Sequence, residues 1–444
     1  MSRERRNARV AGLLLIVVAL CPRAQAIDLY GDSQVLGQVR EGTLSKETEV
    51  PVELFGAAGA SDLPFRSSAD TFFRLQNDFA NDRQETDFYA GYADVPGALP
   101  GTDVTGGRMF LSESPGGVFV ADGGRARVDA GPVALSAYGG VPQYWEPTYG
   151  APYQSQDETI FGGNVRTNGW RNGYLDIGYF QQNRDQRTLR QLITGTGSRS
   201  FPDLIGMPNV YATVAYDADG NNLSQATAGF DAFFLHPQLT FNFQSTYYKP
   251  QSQGEYVIPD INLRKDGIFE LFSVSDLLQF RGGLNYVVTR NLSAYANYSF
   301  QRYEQTDNNY VNGNLGSVGA TWLPGGDGLE VVRWEYYVID GTGGTVNGVR
   351  GYYENRVYDR IVFRANVDVA HYDKATNQSY TPVASTLGLG YLFTPSLFAE
   401  VAFEANHNAL LAEDFRFDFQ LTYKFQHHSE RPADSRQTPG GQPS

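Results

Sequence analysis

Cysteine is nearly missing from this 444-residue chain, and long apolar runs are missing altogether. The one cysteine, Cys21, and the longest apolar stretch, Val10 to Leu20, both lie near the N-terminus. A membrane-crossing helix needs about 20 apolar residues, so a helical membrane protein is excluded. Lysine is scarce as well, with five against 30 arginines, and 49 acidic residues outnumber the 35 basic ones. That balance argues against nucleic acid as a partner, because phosphate binding needs concentrated Lys and Arg. What is abundant is aromatic: 28 Tyr and 28 Phe, far too many for a disordered polymer.

The short apolar run is preceded by Arg3, Arg5, Arg6 and Arg9 and followed by Ala24-Gln25-Ala26. A basic segment, an apolar segment and an A-x-A site are the parts of a secretory signal peptide over residues 1–26, with Ala24 and Ala26 marking the cleavage site. Leu20 stands before Cys21 where a lipoprotein would carry a small residue. Cleavage removes five arginines and one glutamate, leaving 30 basic and 48 acidic residues, a net charge of −18 and no cysteine. Disulfides, a thiolate nucleophile, Cys-ligated zinc and C-x-x-C-H haem attachment are then excluded. No cofactor and no metal is expected.

From about residue 71 to 425 the dominant period is two. In the segment from Phe415 to Phe425 every odd position is apolar or aromatic and every even one is polar. A strand sends alternate side chains to opposite faces, so this segment has one greasy and one wet face. Leu239–Gln244, Leu292–Gln301, Ile361–Ala370 and Leu397–Glu404 alternate in the same way. Turn signals such as Asp219-Gly220-Asn221 and Thr394-Pro395-Ser396 separate the runs. Gly341 to Asn355 reads as a long connection. Val141–Gln156, Thr188–Met207 and Pro250–Asp276 also read as long connections, rich in aromatic and polar residues that suit carbohydrate stacking.

Such strands make either a soluble sandwich or propeller, or a membrane barrel with lipid on the apolar face and a lumen on the polar one. The secretory signal, the mid-strand charges and the paired aromatics Tyr247-Tyr248, Tyr336-Tyr337 and Tyr352-Tyr353 at segment ends favour the barrel. The final strand resembles the C-terminal assembly signal of Gram-negative outer-membrane β-barrel proteins: Phe425 is the terminal aromatic, with Tyr423, Leu421, Phe419 and Phe417 at alternate positions before it. It departs from that pattern in the 19 residues that follow Phe425. A second likeness covers residues 101–145. There Gly107-Arg108, the Arg125-to-Asp129 stretch and the Ala137-to-Pro142 segment are similar to porin-like barrels beside outer-membrane cytochromes or in polysaccharide-export clusters.

The expected fold is therefore all-β, a transmembrane antiparallel up-and-down barrel of 16–18 strands over residues 67–425. Residues 27–66 are expected as a periplasmic extension and 426–444 as a flexible tail. Arg74, Arg108, Arg166, Asp176, Arg281, Arg333, Glu335, Arg364, Asp368, Glu400, Glu404 and Asp418 are the pore-lining candidates. Mixed Arg and carboxylate rings tune which solutes pass, and the same pattern also describes ion pairs that only stiffen the wall.

Catalytic motifs fare less well. Asp368 and His371 point to opposite strand faces, and G-x-S-x-G, Walker, Rossmann and H-E-x-x-H motifs are absent, so no enzyme is expected. Asp217 to Asn221 resembles a calcium-loop start, but no glutamate follows at the right distance and a hairpin turn accounts for it. The resemblance implies location in the outer membrane, with lipid and the assembly machinery as partners. It further implies a passive conduit for hydrophilic solutes or an exported polymer, working with periplasmic export proteins. The alternatives are a sheath around a multihaem cytochrome, or a structural or adhesive barrel.

Overall fold

The computed structural model describes residues 27–427, apart from 42–47, 82, 112–118, 146–151, 154–157, 168, 170–171, 185–186, 235–237, 250–275, 307–308, 327, 342–343, 374–378 and 408–413. Among the described residues, 22 long strands form one antiparallel sheet. The first eight are β1 (Asp28–Glu41), β2 (Pro51–Leu63), β3 (Ser67–Asp78), β4 (Arg83–Leu99), β5 (Thr102–Leu111), β6 (Phe119–Ala130), β7 (Val133–Trp145) and β8 (Glu158–Thr167). There follow β9 (Gly173–Arg184), β10 (Arg187–Ser200), β11 (Asn209–Asp217), β12 (Asn222–Phe234), β13 (Leu239–Tyr248), β14 (Leu277–Thr289) and β15 (Leu292–Thr306). The last seven are β16 (Asn309–Trp322), β17 (Glu330–Gly341), β18 (Gly344–Val357), β19 (Ile361–Asp373), β20 (Val383–Thr394), β21 (Leu397–His407) and β22 (Asp414–His427).

Each strand pairs with its neighbours in sequence, and β1 pairs with β22 from Leu29↔His427 to Val39↔Phe417. The sheet therefore closes. No helix among the described residues is long and apolar enough to cross a membrane. In hydrocarbon every backbone N–H and C=O needs an internal partner, and a closed sheet supplies one at every edge. The strands run from 9 residues in β11 to 17 in β4, against about 9–11 needed to cross a bilayer. With strands about 4.8 Å apart and tilted about 40°, the wall is roughly 40 Å across if circular.

Asp28 and His427 share one rim, where Pro100–Gly101, Gly131–Pro132, Arg290–Asn291 and Pro395–Ser396 are two-residue turns. The widest interval between successive strands, Tyr248 to Leu277, lies at the opposite rim. That asymmetry matches periplasmic turns and longer external loops.

Register sorts the side chains into two faces. On β22, Phe415, Phe417, Phe419, Tyr423 and Phe425 are 38–55% exposed, in line with Val401 and Phe403 of β21 and Leu387 and Leu389 of β20. This is the outward, lipid-facing belt. Asp418 and Gln420 face the other way, towards side chains they bond.

The barrel class is as the alternation predicts, but the strand number is 22 rather than 16–18. The added wall comes from places where periodicity is masked. Residues 27–66 are not a periplasmic extension, since they supply β1 and β2; Thr188–Met207 is largely β10; Gly341–Asn355 is largely β18. The outward positions of these strands are often small: Gly31, Ser33 and Gly37 in β1, Gly56, Ala58 and Ala60 in β2, Gly195 and Gly197 in β10. Large neighbours cover them, Phe425 lying over Gly31 and Phe73 over Gly56, so the apolar surface is continuous although the local sequence is not. Gln426 and His427 belong to β22 instead of the tail, while 428–444 and the cleavage residues Ala24 and Ala26 lie outside the described residues.

A chain lacking residues 27–66 tests the reassignment. It is expected to lose the compact, heat-modifiable band on unheated gels and to become protease-sensitive, where loss of a mere appendage would leave both unchanged.

Candidate functional site: the lumen wall

Eleven of the twelve pore-lining candidates sit on the inward face, and the register brings several together. Glu335, Arg350 and Asp368 are successive cross-strand partners on β17, β18 and β19. Arg350 lies 2.9 Å from Asp368 and 3.7 Å from Glu335. Tyr337 donates to Asp368 at 2.8 Å and Tyr295 to Glu335 at 2.5 Å. One turn of register further, Arg364 bridges Glu354 at 3.0 Å and Glu400 on β21. Arg74 meets Asp87 at 2.7 Å, Glu85 at 3.6 Å and Glu53 at 3.8 Å. Glu404 accepts from Asn406, and Asp418 from Gln38. Arg74 faces three carboxylates and Arg350 two, whereas at Glu354 and Glu400 the guanidinium of Arg356 joins that of Arg364. Arg350 is half exposed to the lumen, where an ion pair is worth no more than about 1 kcal/mol.

The remaining candidates lie elsewhere on the same face. Arg166 and Asp176 are direct partners on β8 and β9; the guanidinium stacks 4.2 Å from the Tyr174 ring and Asp176 accepts from Asn164. Arg333 lies over Tyr352, its partner on β18. Arg281 on β14 pairs in register with Gln244 and Ser299.

The wall from β10 to β15 has a different character. Thr196, Thr213, Thr227, Thr246, Gln279 and Gln301 are consecutive register partners, a rung of six uncharged polar side chains across six strands. Thr196 bonds Thr213 at 3.3 Å and Thr227 bonds Thr246 at 3.4 Å. The lumen wall thus carries ion-pair clusters on β2–β4 and β17–β21 and a rung of hydroxyls and amides across β10–β15. No single sequence position reveals this; it follows from the register.

A third region escapes single-position reading as well. Met109, Leu111, Ala121, Tyr138, Ile160, Phe180 and Leu192 share the inward parity of β5 to β10 and are buried together, with Tyr92 of β4 against them. These side chains shield one another along the inner face of six successive strands, and on β6 a Cβ at Gly123 would strike the Gly139 carbonyl of the adjacent strand. Fully buried Glu158 sits beside this cluster, held by Arg184 at 3.1 Å and by Gln182.

Arg108 does not line the pore. It shares outward parity on β5 with Val104 and Phe110, both exposed, and its partner Asp122 shares outward parity with Val120 and Val128. Arg108 Nε and Nη2 meet the two oxygens of Asp122 at 2.6 and 2.8 Å, Nη1 donates to the Phe88 carbonyl at 2.8 Å, and Nη2 reaches Gln143 at 3.2 Å. β4 and β5 pair only as far as Gly91↔Arg108. The guanidinium therefore ties β4, β6 and β7 to β5 where β4 and β5 part, and its charge is matched on the lipid side of the wall.

The paired tyrosines split between faces, as adjacent strand residues must. Tyr336 is outward, whereas Tyr337 and Tyr352 point inward and bond Asp368 and Glu354. They are not membrane-interface pairs. His371 is half exposed at the end of β19, 3.4 Å from Asp373, consistent with a rim residue. Asp217–Asn221 forms the β11–β12 turn, and the described residues hold no cluster of three metal-ligating groups. The assembly-signal residues Phe417, Phe419, Leu421, Tyr423 and Phe425 face outward on the closing strand.

No protein-family model matches the chain, and no curated protein matches it in sequence. Solved structures do match. A mutant of the ferric enterobactin receptor PfeA from Pseudomonas aeruginosa aligns with 89% of this chain and 80% of its own, at 9% identity and a TM-score of 0.57. The Pseudomonas aeruginosa outer membrane protein OpdK covers 90% of this chain and 99% of its own at 9% identity and a TM-score of 0.45. Acinetobacter baumannii OccAB3 covers 90% and 99% at 11% identity, with a TM-score of 0.45. At such identities the likeness is one of fold. In fold the chain is a closed antiparallel β-barrel of the outer-membrane type, in agreement with its outward apolar belt.

Arg108→Leu leaves Asp122 unpaired against lipid and is expected to cost about 3 kcal/mol in unfolding free energy. The double variant Arg108→Leu/Asp122→Leu is expected to recover most of that loss. Denaturant titration of the barrel in detergent measures both, and equal stability of the single and double variants would contradict the outward placement.

Proposed function

We propose that this chain is a passive, non-catalytic channel for small hydrophilic solutes across the outer membrane. The observation that carries the reading is a closed wall with a continuous apolar exterior and a lumen of ion pairs, hydroxyls and amides. Among the described residues every strand belongs to that wall, and the only helical turn is the three-residue Pro64–Arg66. The apolar sector of β5–β10 forms part of the inner face of a wall roughly 40 Å across if circular. The excess of carboxylates around Arg74 and Arg350 favours cations over anions at the wall. Folding would draw on the assembly machinery through the β22 aromatics.

The test is single-channel recording of the purified barrel in planar bilayers under a salt gradient. Conductance with a reversal potential on the cation-selective side is expected. Arg364→Ala, which frees Glu354 and Glu400, is expected to raise the cation-to-anion permeability ratio roughly two-fold. Silent bilayers, together with haem absorbance in the purified material, would favour the cytochrome sheath instead.

A further inference from the structure

Next to the rim that carries both termini, the inner face of β22 and β1–β4 holds an open recess of about 710 Å³. Its charged and aromatic lining is Tyr30, Asp32, Asp70, Phe72, Tyr92 and Lys424, with Ser396 and Gln426 as an uncharged polar edge at the rim. Register sets these side chains out. Tyr30, Gly59, Asp70 and Tyr92 are successive partners from β1 to β4, and Asp32, Ala57, Phe72 and Ala90 make the next row. The small residues keep the floor low, which leaves three rings around the Asp70 carboxylate.

The wall fixes those groups. Tyr30 donates its hydroxyl to Asp70 at 2.6 Å across β2, passing over Gly59, where a Cβ would strike both the ring and the carboxylate. Phe72 is braced by Phe55 and Tyr89, with ring centroids 6.4 and 5.2 Å away.

Charge then selects the ligand. Asp32 is matched by Lys424, its register partner on β22, at 3.8 Å. Beyond Tyr92, Asp94 accepts the Thr105 hydroxyl and Arg125 reaches the same oxygen at 3.2 Å, so those two charges offset each other. Asp70 differs from both. It accepts one hydroxyl, and no lysine, arginine or histidine among the described residues forms an ion pair with it. One uncompensated negative charge therefore stands beside three aromatic rings. An anion is repelled there, and an uncharged solute leaves the carboxylate to water. A cation with a carbon body meets both features, because the rings pack its carbons and their π clouds attract its charge.

We propose that this recess is a binding subsite for a small organic monocation, an alkylammonium whose charged nitrogen lies against Asp70 and whose carbons pack on Tyr30, Phe72 and Tyr92. It names a substrate class for the channel reading above, so its role in passage rests on that reading; the binding itself does not.

Saturation-transfer NMR on the full chain in a non-ionic detergent tests it, with tetramethylammonium, uncharged tert-butanol and anionic pivalate as probes of matched shape. Saturable transfer is expected to be strongest for tetramethylammonium, with affinity about five-fold weaker in Asp70→Asn and no change for tert-butanol. Phe72→Leu, which leaves Tyr30 and Asp70 in place, is expected to weaken tetramethylammonium binding as well, so the outcome does not hang on one variant's folding. Tetramethylammonium bound no better than tert-butanol, or bound equally well by the wild type and both variants, overturns the proposal. Silent bilayers combined with Asp70-dependent tetramethylammonium binding would overturn the channel reading and leave the subsite standing; cation-selective conductance without such binding would do the reverse.

Discussion

The demand that no backbone polar group meet hydrocarbon unpaired governs this structure. A strand edge open to lipid would expose a row of N–H and C=O groups, so the first and last strands must find each other. They do so over the full stretch from Leu29↔His427 to Val39↔Phe417. Because pairing register and side-chain parity are linked, that single seam also sets which way every residue of β22 and β1 points. The aromatic stripe of β22 lands outside over the small residues of β1, and Phe425 covers Gly31. Closure and the lipid-facing surface are thus one requirement met by the same residues.

How much of this was legible in the sequence depends on which strand is read. β13, β15, β19, β21 and β22 carry large apolar side chains at alternate positions and announce themselves. In β1, β2 and β10 the outward positions are often Gly, Ala or Ser, because a neighbour's ring fills the surface above them. Periodicity is a property of one strand, whereas the apolar belt is a property of several, so a residue-by-residue reading undercounts the wall. β18 was hidden differently: its glycines and tyrosines look like loop composition until the ring of Tyr337 is seen lying over Gly348.

The candidate site shows the same limit. Inward placement of eleven charged residues followed from parity, because their strands are labelled by apolar neighbours. Arg108 sits in Thr105-Gly106-Gly107-Arg108, where glycines erase the label, and a mid-strand charge then looks like a lumen charge. The signal was present two and four residues away, since Val104 and Phe110 share its parity. Tyr337 and Tyr352 were likewise read by type, as interface aromatics, when parity puts them inside. Residue type proposes a surface, and only register assigns it.

Arginine's dominance over lysine follows from what the wall asks of its cations. Arg108 contacts two oxygens of one carboxylate, a main-chain carbonyl and an amide at once, which needs several donors in a planar fork. Arg350 and Arg364 each span carboxylates on different strands. A lysine ammonium at the end of a flexible stem would reach one such partner and leave the others competing for water. The bridges of Arg350 and Arg364 cross β17 to β21, while the Thr196-to-Gln301 rung crosses β10 to β15 with hydroxyls and amides, so these two sectors of the inner face are unlike although both are closed by the same ladder. The strands share one backbone pattern throughout, so the difference lies entirely in the inward side chains. The inner surface therefore offers fixed charges in one sector and uncharged hydrogen-bonding groups in another, both set by register.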